Sequence, residues 1–207
     1  ILKKIVIVDY GMGNISSVYN ALEFISPSNT KIYISSERSE IKSADKIIFP
    51  GQGAAKSSIE SLKKFNIIDD IKESATKKPF LGICLGMQVL MDVTEENEGT
   101  QCLGLVEGCV KKFKVSGTNL KVPHMGWNKI NQKGNHEIWN EIPDNSYFYF
   151  VHSYFVVPED KNIQIGLTSY DKDFCSVLTK KNIVAIQGHP EKSGQVGIQF
   201  LKNFIGM

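Results

Sequence analysis

The first half of the chain alternates short apolar runs with segments whose apolar residues recur at helical spacing. Residues 4–10 form an almost continuous apolar run, which is typical of a strand buried on both faces of a parallel sheet. After a glycine turn, the spacing of apolar residues predicts a helix over residues 15–25. Further apolar runs at 31–34 and 46–49 predict the next two strands. This alternation predicts an α/β fold with a mostly parallel sheet flanked by helices.

The second half is dominated by short apolar runs separated by turn-forming sequences such as Lys133-Gly134-Asn135. The predicted strands are residues 110–113, 127–130, 147–151, 163–167, 176–178 and 183–186. They predict additional antiparallel strands, which either extend the first sheet or form a second one. Apolar positions between residues 196 and 205 predict a closing helix.

Length and charge limit the possible functions. A chain of 207 residues is long enough for one sizeable core and short for two, so we expect a single domain spanning residues 1–207. The net charge of +2 gives no electrostatic reason to expect nucleic acid or an anionic membrane as a partner. The apolar runs are far shorter than the ~20 residues that span a bilayer. The chain also enters a strand at once, which leaves no space for a signal peptide, so we expect a cytoplasmic protein.

The cysteines and histidines show no metal-binding spacing. The chain has 4 cysteines and 4 histidines, without a Cys-x-x-Cys pair or a His-x-x-x-His pair. We therefore expect no metal and no cofactor, and thiols that stay reduced. For Cys102, Cys109 and Cys175 the expected role is packing as small apolar side chains.

Cys84 stands out because it lies in the sequence Gly82-Ile83-Cys84-Leu85-Gly86, where an apolar run ends. A strand that ends here passes through a tight turn into a helix, with the cysteine at the apex. The flanking glycines leave room for the bend and for a substrate to approach the backbone. Unpaired N–H groups and the dipole at a helix start favour the thiolate, which is the reactive form of cysteine.

A candidate base and a carboxylate follow much later in the chain, in His189-Pro190-Glu191. Together with the cysteine they predict an acyl-thioester hydrolase. Cys84 attacks a carbonyl, His189 shuttles the proton, and Glu191 orients and charges the imidazole. A glycine turn at residues 50–53 and the start of the helix after Cys84 are the candidate sources of oxyanion donors. The residues concerned are Gly51, Gln52, Gly53 and Leu85.

Several further stretches accompany these motifs. They are residues 9–14 (DYGMGN), 50–53 (PGQG), 123–128 (PHMGWN), 149–154 (YFVHSY) and 189–193 (HPEKS). Cys84 and the His-x-Glu motif resemble the triad-type, or class I, glutamine amidotransferases. The whole set is similar to the glutaminase subunits of imidazole glycerol phosphate synthases, and the resemblance extends from about residue 5 to residue 204.

This resemblance implies a flavodoxin-like class I glutamine amidotransferase fold. It also implies that L-glutamine is hydrolysed to glutamate and ammonia through a γ-glutamyl thioester on Cys84. Ammonia then passes to a cyclase subunit of the (β/α)₈-barrel type, with which the chain forms a heterodimer. That subunit makes imidazole glycerol phosphate and aminoimidazole carboxamide ribotide in histidine biosynthesis.

The resemblance also implies roles for further residues. Those that hold the amino-acid end of glutamine are Gln88, Glu96, His152, Ser153 and Tyr154. Those at the interface with the cyclase are Asn14, Trp127 and Lys192. Outside the resemblance, Glu96 would belong to a solvated charge run and Trp127 would more often be a core residue.

Two positions depart from the usual pattern of the family. Gln52 stands where valine is usual, and its backbone N–H is unaffected by that change. Gly188 stands where an aromatic residue is usual, so the imidazole of His189 loses a packing partner and its backbone becomes less constrained.

Three alternatives remain open on the sequence. The first is a glutaminase subunit that serves a sugar amidotransferase in surface-polysaccharide biosynthesis. The second is an unrelated thiol hydrolase on a similar fold, such as a peptidase or deglycase, which would not need Gln88 or the stretch at 123–128. The third is a non-catalytic binding subunit, against which the intact set of Cys84, His189 and Glu191 argues.

Overall fold

Five parallel strands form the centre of the protein. The computed structural model describes residues 2–117 and 119–207. The parallel strands lie side by side in the order β2, β1, β3, β4 and β13. Their bounds are β1 Lys3–Val8, β2 Thr30–Ser35, β3 Lys46–Gly51, β4 Phe80–Cys84 and β13 Ile183–Ile186. β3, β4 and β13 are buried along their whole length because helices cover both faces, which explains their continuous apolar sequences.

The helices divide between the two faces of this sheet. They are α1 Ile15–Ile25, α2 Arg38–Ser43, α3 Ala55–Lys64, α4 Ile68–Lys77, α5 Leu85–Gln88 and α6 Gly194–Gly206. On one face, α2, α3 and α4 pack on Val6, Val8 and Phe49. On the other face, α1 and α6 pack on Ile5 and Ile7. The alternating strands and helices predicted from the first half are therefore confirmed.

One buried carboxylate joins α2 to α4. The Asp70 side chain is 2% exposed, and its two oxygens lie 2.6 Å from Arg38 Nε and 3.2 Å from Lys42 Nζ. Burial alone would raise the pKa of Asp70, but the hydrogen bonds and charges of Arg38 and Lys42 outweigh it and lower the pKa. The carboxylate thus stays ionised inside the protein because both oxygens are paired.

A mostly antiparallel part, with one parallel pair of strands, extends the same sheet, so the sequence alternative of a separate second sheet does not apply. β12 is the branch point, since it pairs antiparallel with β13, β10 and β11. β7 and then β5 and β6 continue from β10, while β8 and β9 continue from β11. The bounds are β5 Val93–Thr94, β6 Thr100–Gln101, β7 Gly108–Lys112, β8 His124–Gln132, β9 Ser146–His152, β10 Tyr154–Pro158, β11 Gln164–Ser169 and β12 Asp173–Lys180.

The structure differs from the sequence prediction at two places. The strand predicted at 147–151 is part of β9, but β10 was not predicted; the chain bends at Ser153, where β10 leaves β9 to pair with β7. The short strands β5 and β6 were not predicted, since two residues give no periodic pattern. The helix predicted to start at Cys84 is present and is a single turn, Leu85–Gln88. No described helix has the length and apolar character needed to cross a membrane.

Candidate active site

Cys84 occupies a sharp turn between β4 and α5. Its φ of 56° and ψ of −114° lie in a region that residues other than glycine rarely adopt, which costs roughly 1–3 kcal/mol. The turn also brings backbones into close contact. A Cβ on Gly86 would collide with the carbonyl group of Phe49, and one on Gly51 would lie 2.8 Å from the Tyr10 hydroxyl. The two glycines are therefore required by space, and this explains the glycine after Cys84 in the motif.

His189 and Glu191 form the most buried ion pair of the site. His189 Nδ1 lies 2.7 Å from Glu191 Oε1, and the side chains are 2% and 1% exposed. The short 3₁₀ turn Pro190–Lys192 brings the two side chains together. The backbone of His189 is held from both sides, since its N–H donates to Tyr149 O at 2.9 Å and its carbonyl accepts from Ser193 Oγ at 2.6 Å. These two hydrogen bonds fix the His189 backbone although Gly188 offers no aromatic packing partner.

The second ring nitrogen of His189 faces the cysteine. Nε2 is buried and has no hydrogen-bond partner among the described residues, and the Cys84 side chain is near enough to raise the pKa of His189. Burial alone would lower the pKa of His189, but the neighbouring Cys84 and Glu191 side chains outweigh it and raise the pKa to about 10. At neutral pH the imidazole is therefore protonated, with a free N–H available to a reacting group.

A cavity of about 320 Å³ opens in front of Cys84 and His189. This volume lies in the usual range for small-molecule sites. Ten of the residues singled out from the sequence line it, namely Gln52, Gly53, Cys84, Leu85, Gln88, Glu96, His152, Ser153, Tyr154 and His189. Gly51 and Glu191 lie behind this layer, in contact with Gly86 and His189 respectively. Pro123 and Val151 also line the cavity and were not predicted.

The far side of the cavity is a network of hydrogen bonds. The Gln88 amide nitrogen donates to the Tyr154 carbonyl and to Gln187 Oε1, both at 3.0 Å. Glu96 Oε2 accepts from the backbone N–H of Ala55 at 2.8 Å, which ties the short turn around Glu96 to the start of α3. The carboxylate and carbonyl oxygens here suit a ligand with an ammonium group.

Gln187 is a residue that the sequence analysis missed. It is fully buried, and its amide nitrogen donates to Cys84 Sγ at 3.7 Å while its oxygen accepts from Gln88. No signal in the sequence marks it, because it lies between the end of β13 at Ile186 and His189, outside the regular strand. No group of three or more His, Cys, Asp or Glu side chains in residues 2–117 and 119–207 could hold a metal ion.

The candidate interface residues lie outside the cavity. Trp127 is 56% exposed and stacks edge-on against Tyr149, with ring centroids 6.0 Å apart, so it is not a core residue. Met125 and Tyr147 are 62% and 51% exposed, from β8 and the adjacent β9. Asn14 and Lys192 are partly buried, at the start of α1 and at the end of the turn that carries Glu191. We call Met125, Trp127 and Tyr147 the aromatic face.

Comparisons with known proteins find relatives along almost the whole chain. The family described as glutamine amidotransferase class-I matches residues 6–207. A protein of Hydrogenovibrio crunogenus named imidazole glycerol phosphate synthase subunit HisH is 52% identical over 204 residues, covering 98% of this chain and 96% of the relative. A protein of the same name from Nitrosococcus oceani is 43% identical and covers 99% and 97% of the two chains.

Solved structures support the fold alone. The structure of PurLQS from Thermotoga maritima has a TM-score of 0.75 at 17% identity and covers 100% of this chain and 99% of that one. A crystal structure of a protein described as a glutamine amidotransferase has a TM-score of 0.72 at 14% identity, covering 98% and 99%. The match of the family over nearly the whole chain identifies the protein as a member of the class I glutamine amidotransferase family.

Proposed function

We propose that this chain is the glutaminase subunit of an imidazole glycerol phosphate synthase. It hydrolyses L-glutamine to glutamate and ammonia, and the ammonia serves a cyclase in histidine biosynthesis. The single observation that carries the chemistry is the meeting of Cys84 and the His189–Glu191 pair at one cavity. The 52% identity to a synthase subunit over almost the full length favours this partner over a sugar amidotransferase.

The first half of the reaction forms a thioester. The Cys84 thiolate attacks the side-chain amide carbon of glutamine, and the carbonyl oxygen becomes an oxyanion. Backbone N–H groups at Leu85 and at the glycine turn of residues 50–53 stabilise this charge. The carbon–nitrogen bond then breaks, and His189 gives its Nε2 proton to the departing ammonia. The products of this half are ammonia and a γ-glutamyl thioester on Cys84.

The second half hydrolyses the thioester. Neutral His189 accepts a proton from water, and the hydroxide adds to the thioester carbonyl at the same oxyanion site. The carbon–sulfur bond breaks, which releases glutamate and restores the Cys84 thiolate beside the protonated imidazole. Glu191 stays ionised throughout and holds Nδ1–H, so that Nε2 always faces the reacting atoms.

The remaining cavity residues bind the amino-acid end of glutamine. Glu96 attracts the α-ammonium group, because it is the carboxylate on the cavity wall. Gln88 and the backbone of residues 152–154 enclose the other side. These roles explain why a chain that acts on free glutamine needs polar groups on the wall opposite Cys84.

The chain works as one glutamine amidotransferase domain over residues 1–207, in the cytoplasm, in a heterodimer with a cyclase of the (β/α)₈-barrel type. The aromatic face supports this, because exposed Met and aromatic side chains are enriched at protein interfaces. Asn14, Trp127 and Lys192 contact the cyclase. The loop before α1 also reaches the oxyanion turn, since a Cβ on Gly13 would lie 3.4 Å from Gly51 N. Binding of the cyclase at Asn14 therefore acts on residues 50–53 through the direct contact between Gly13 and Gly51.

The catalytic assignment is tested with Cys84→Ala in the complex with its cyclase and nucleotide. Glutamate release is expected to vanish, while added ammonium salt at alkaline pH restores cyclase product, because the cyclase needs only ammonia. Cys109→Ala is the matched control, since Cys109 is a free, partly buried cysteine outside the cavity. Residual hydrolysis within tenfold of the parent contradicts the assignment of the nucleophile.

The partner assignment is tested by titrating the cyclase against Trp127→Ala. Removing a central interface aromatic costs about 2 kcal/mol or more, so the dissociation constant is expected to rise about thirtyfold. Phe24→Ala is the control, because Phe24 is 81% exposed on α1, near the end opposite Asn14. Glutamate release is measured for the chain alone, with cyclase, and with cyclase plus nucleotide, and it should be slow in the first and rise with each addition.

A further inference from the structure

Two buried histidines form a hydrogen-bonded pair beside the catalytic residues. His124 and His152 are 3% and 6% exposed, and His124 Nδ1 lies 2.9 Å from His152 Nε2. The rings are packed among aromatic side chains, with Phe150 stacked on His124 at 5.0 Å and Phe174 at 5.1 Å from His152. His152 lines the cavity together with Cys84, whereas His124 lies behind it. The proposed reaction assigns no role to His124.

The direction of the hydrogen bonds can be read from the His124 end. The side-chain nitrogen of Asn128 donates to the Ser169 carbonyl at 2.9 Å, and its oxygen accepts from the backbone N–H of Lys129 at 2.8 Å. These two contacts fix which atom of the amide is nitrogen. The same nitrogen lies 3.2 Å from His124 Nε2, so that ring nitrogen is the acceptor. The proton of neutral His124 is therefore on Nδ1, directed at His152.

The direction can be read independently from the His152 end. His152 Nδ1 lies 2.7 Å from the Tyr154 carbonyl, which can only accept a hydrogen bond. Nδ1 of His152 therefore carries the proton, and Nε2 is free to accept from His124. Both ends give the same result, a one-way chain from Asn128 through two neutral histidines to the Tyr154 carbonyl. A proton added to either ring would place two N–H groups face to face.

The hydrogen bonds from Asn128 to Tyr154 distinguish the two histidines that line the cavity. His189 has an Nε2 without a partner among the described residues, whereas both ring nitrogens of His152 are occupied. Burial lowers the pKa of His124 to about 4, and burial together with His124 and His189 lowers the pKa of His152 to about 3 despite its bond to Tyr154. A second imidazolium beside protonated His189 is thereby avoided.

We propose that Asn128, His124 and His152 form a positioning chain that fixes the backbone of residues 152–154 for the amino-acid end of glutamine and withholds His152 from proton transfer. The positioning role rests on the proposed glutaminase function. The Tyr154 carbonyl is held by two donors, His152 Nδ1 and Gln88 Nε2, and the Ser153 carbonyl accepts from Phe113 N at 3.1 Å. Without the His124 donor, the His152 ring is no longer held at Nε2, so its hydrogen bond from Nδ1 to the Tyr154 carbonyl becomes weaker. The contacts of Cys84 and His189 are unchanged.

The proton positions are tested first, on the parent protein and without substrate. The chain has 4 histidines, so nitrogen NMR of histidine-labelled protein resolves each ring. At neutral pH, His124 and His152 are expected as neutral rings protonated on Nδ1, and His189 as a doubly protonated ring. The signals are assigned by substituting each histidine in turn. A ring of His124 or His152 that is charged, or protonated on Nε2, overturns the proposal whatever the protein catalyses.

The positioning role is tested by His124→Phe, which keeps a ring in the aromatic cluster and removes the donor to His152. In the complex with cyclase and nucleotide, the KM for glutamine is expected to rise about tenfold, the effect of one lost hydrogen bond, with kcat within about twofold. His124→Asn should recover most of this loss, because its amide nitrogen lies near the position of Nδ1. His136→Phe is the matched control, at a histidine that caps a short turn outside the cavity.

The outcomes separate the two proposals. If the parent complex releases no glutamate while NMR gives the expected protonation, the glutaminase function fails and the hydrogen-bond chain stands. If His124→Phe leaves KM unchanged, or lowers kcat alone, the positioning role is wrong. If His124→Phe does not fold, His124→Asn decides the question, since a KM raised about tenfold in a variant whose amide can still donate to His152 contradicts the proposal.

Discussion

Gly86→Ala adds one methyl group to the turn that carries the nucleophile. The new Cβ would lie 3.0 Å from the carbonyl carbon of Phe49, with the carbonyl oxygen closer still. The carbonyl oxygen sets the required movement, because a carbon and an oxygen in contact are normally ~3.3–3.6 Å apart, so the turn must move by about 1 Å or more. Both partners are backbone, and both β3 and β4 are paired on each side, so neither can yield by a change of rotamer.

The magnitude follows from that displacement. Overpacking of this kind costs typically about 1–3 kcal/mol, and a contact with backbone on both sides belongs at the upper end, near 3 kcal/mol. A shift of about 1 Å at a catalytic group costs roughly 10²-fold in rate. Because Cys84 already adopts a strained backbone conformation, the added strain acts on the residue that must be aimed most accurately.

The assay combines urea unfolding with glutamate release in the complex. Gly206→Ala is the matched control, because a Cβ there meets nothing within 4 Å. The control is expected to keep stability within about 0.5 kcal/mol and activity close to the parent. If Gly86→Ala behaves like Gly206→Ala in both measurements, the turn is more compliant than the structure implies and the steric argument is refuted.

Four further outcomes are expected. Cys84→Ala lowers the pKa of His189 from about 10, because the effect of burial is then opposed only by the Glu191 carboxylate. An NMR titration that gives an unchanged pKa for His189 contradicts the interaction between Cys84 and His189. Because the pKa of His189 is raised in the folded protein, its protonation adds to the free energy of unfolding. That contribution is fully present below pH ~6.5 and is lost as pH rises through about 10. Asp70→Asn lowers the free energy of unfolding at neutral pH by about 1–2 kcal/mol, and the deficit shrinks as pH falls through the lowered pKa of the parent carboxyl, which urea unfolding across acid pH checks. Tyr10→Phe removes a 2.8 Å hydrogen bond to the Pro50 carbonyl and slows glutamate release about tenfold, less than the ~10²–10³ of a lost oxyanion donor; an unchanged rate shows that this peptide needs no such restraint.

The parallel half of the fold could be predicted because its signals are local. Continuous apolar runs are typical of strands covered on both faces, and the helix over Ile15–Ile25 agrees with the structure at both ends. The antiparallel half was harder to predict. Whether its strands extend the sheet depends on which edge of β12 each strand reaches, and pairing between distant segments leaves no trace in a single sequence. The strand Tyr154–Pro158 after the bend at Ser153 was not predicted, because its apolar residues follow those of β9 with no glycine or proline to mark a new element.

The candidate site shows the same division. Cys84, His189 and Glu191 could be singled out because glycine and proline mark the turns around them, and class I family membership, suspected from those motifs, is confirmed. Their individual roles stay predictions. Gln187 and the bonded pair of His124 and His152 could not be found, since a buried amide or histidine resembles any other in the sequence until its partners are known.

The location of the site follows from strand order. β4 and β13 are parallel neighbours, with Ile83 opposite Ile186, so the residues after both strands emerge at the same edge of the sheet. Cys84 and His189 therefore meet although the chain between them forms the entire antiparallel part. That part returns residues 152–154 to the same edge through β9 and β10, opposite the nucleophile. The reacting groups thus come from the rigid parallel strands, and the groups that recognise the amino-acid end come from the antiparallel extension. A change in the extension should accordingly alter KM before it alters kcat, as the His124 variants are designed to test.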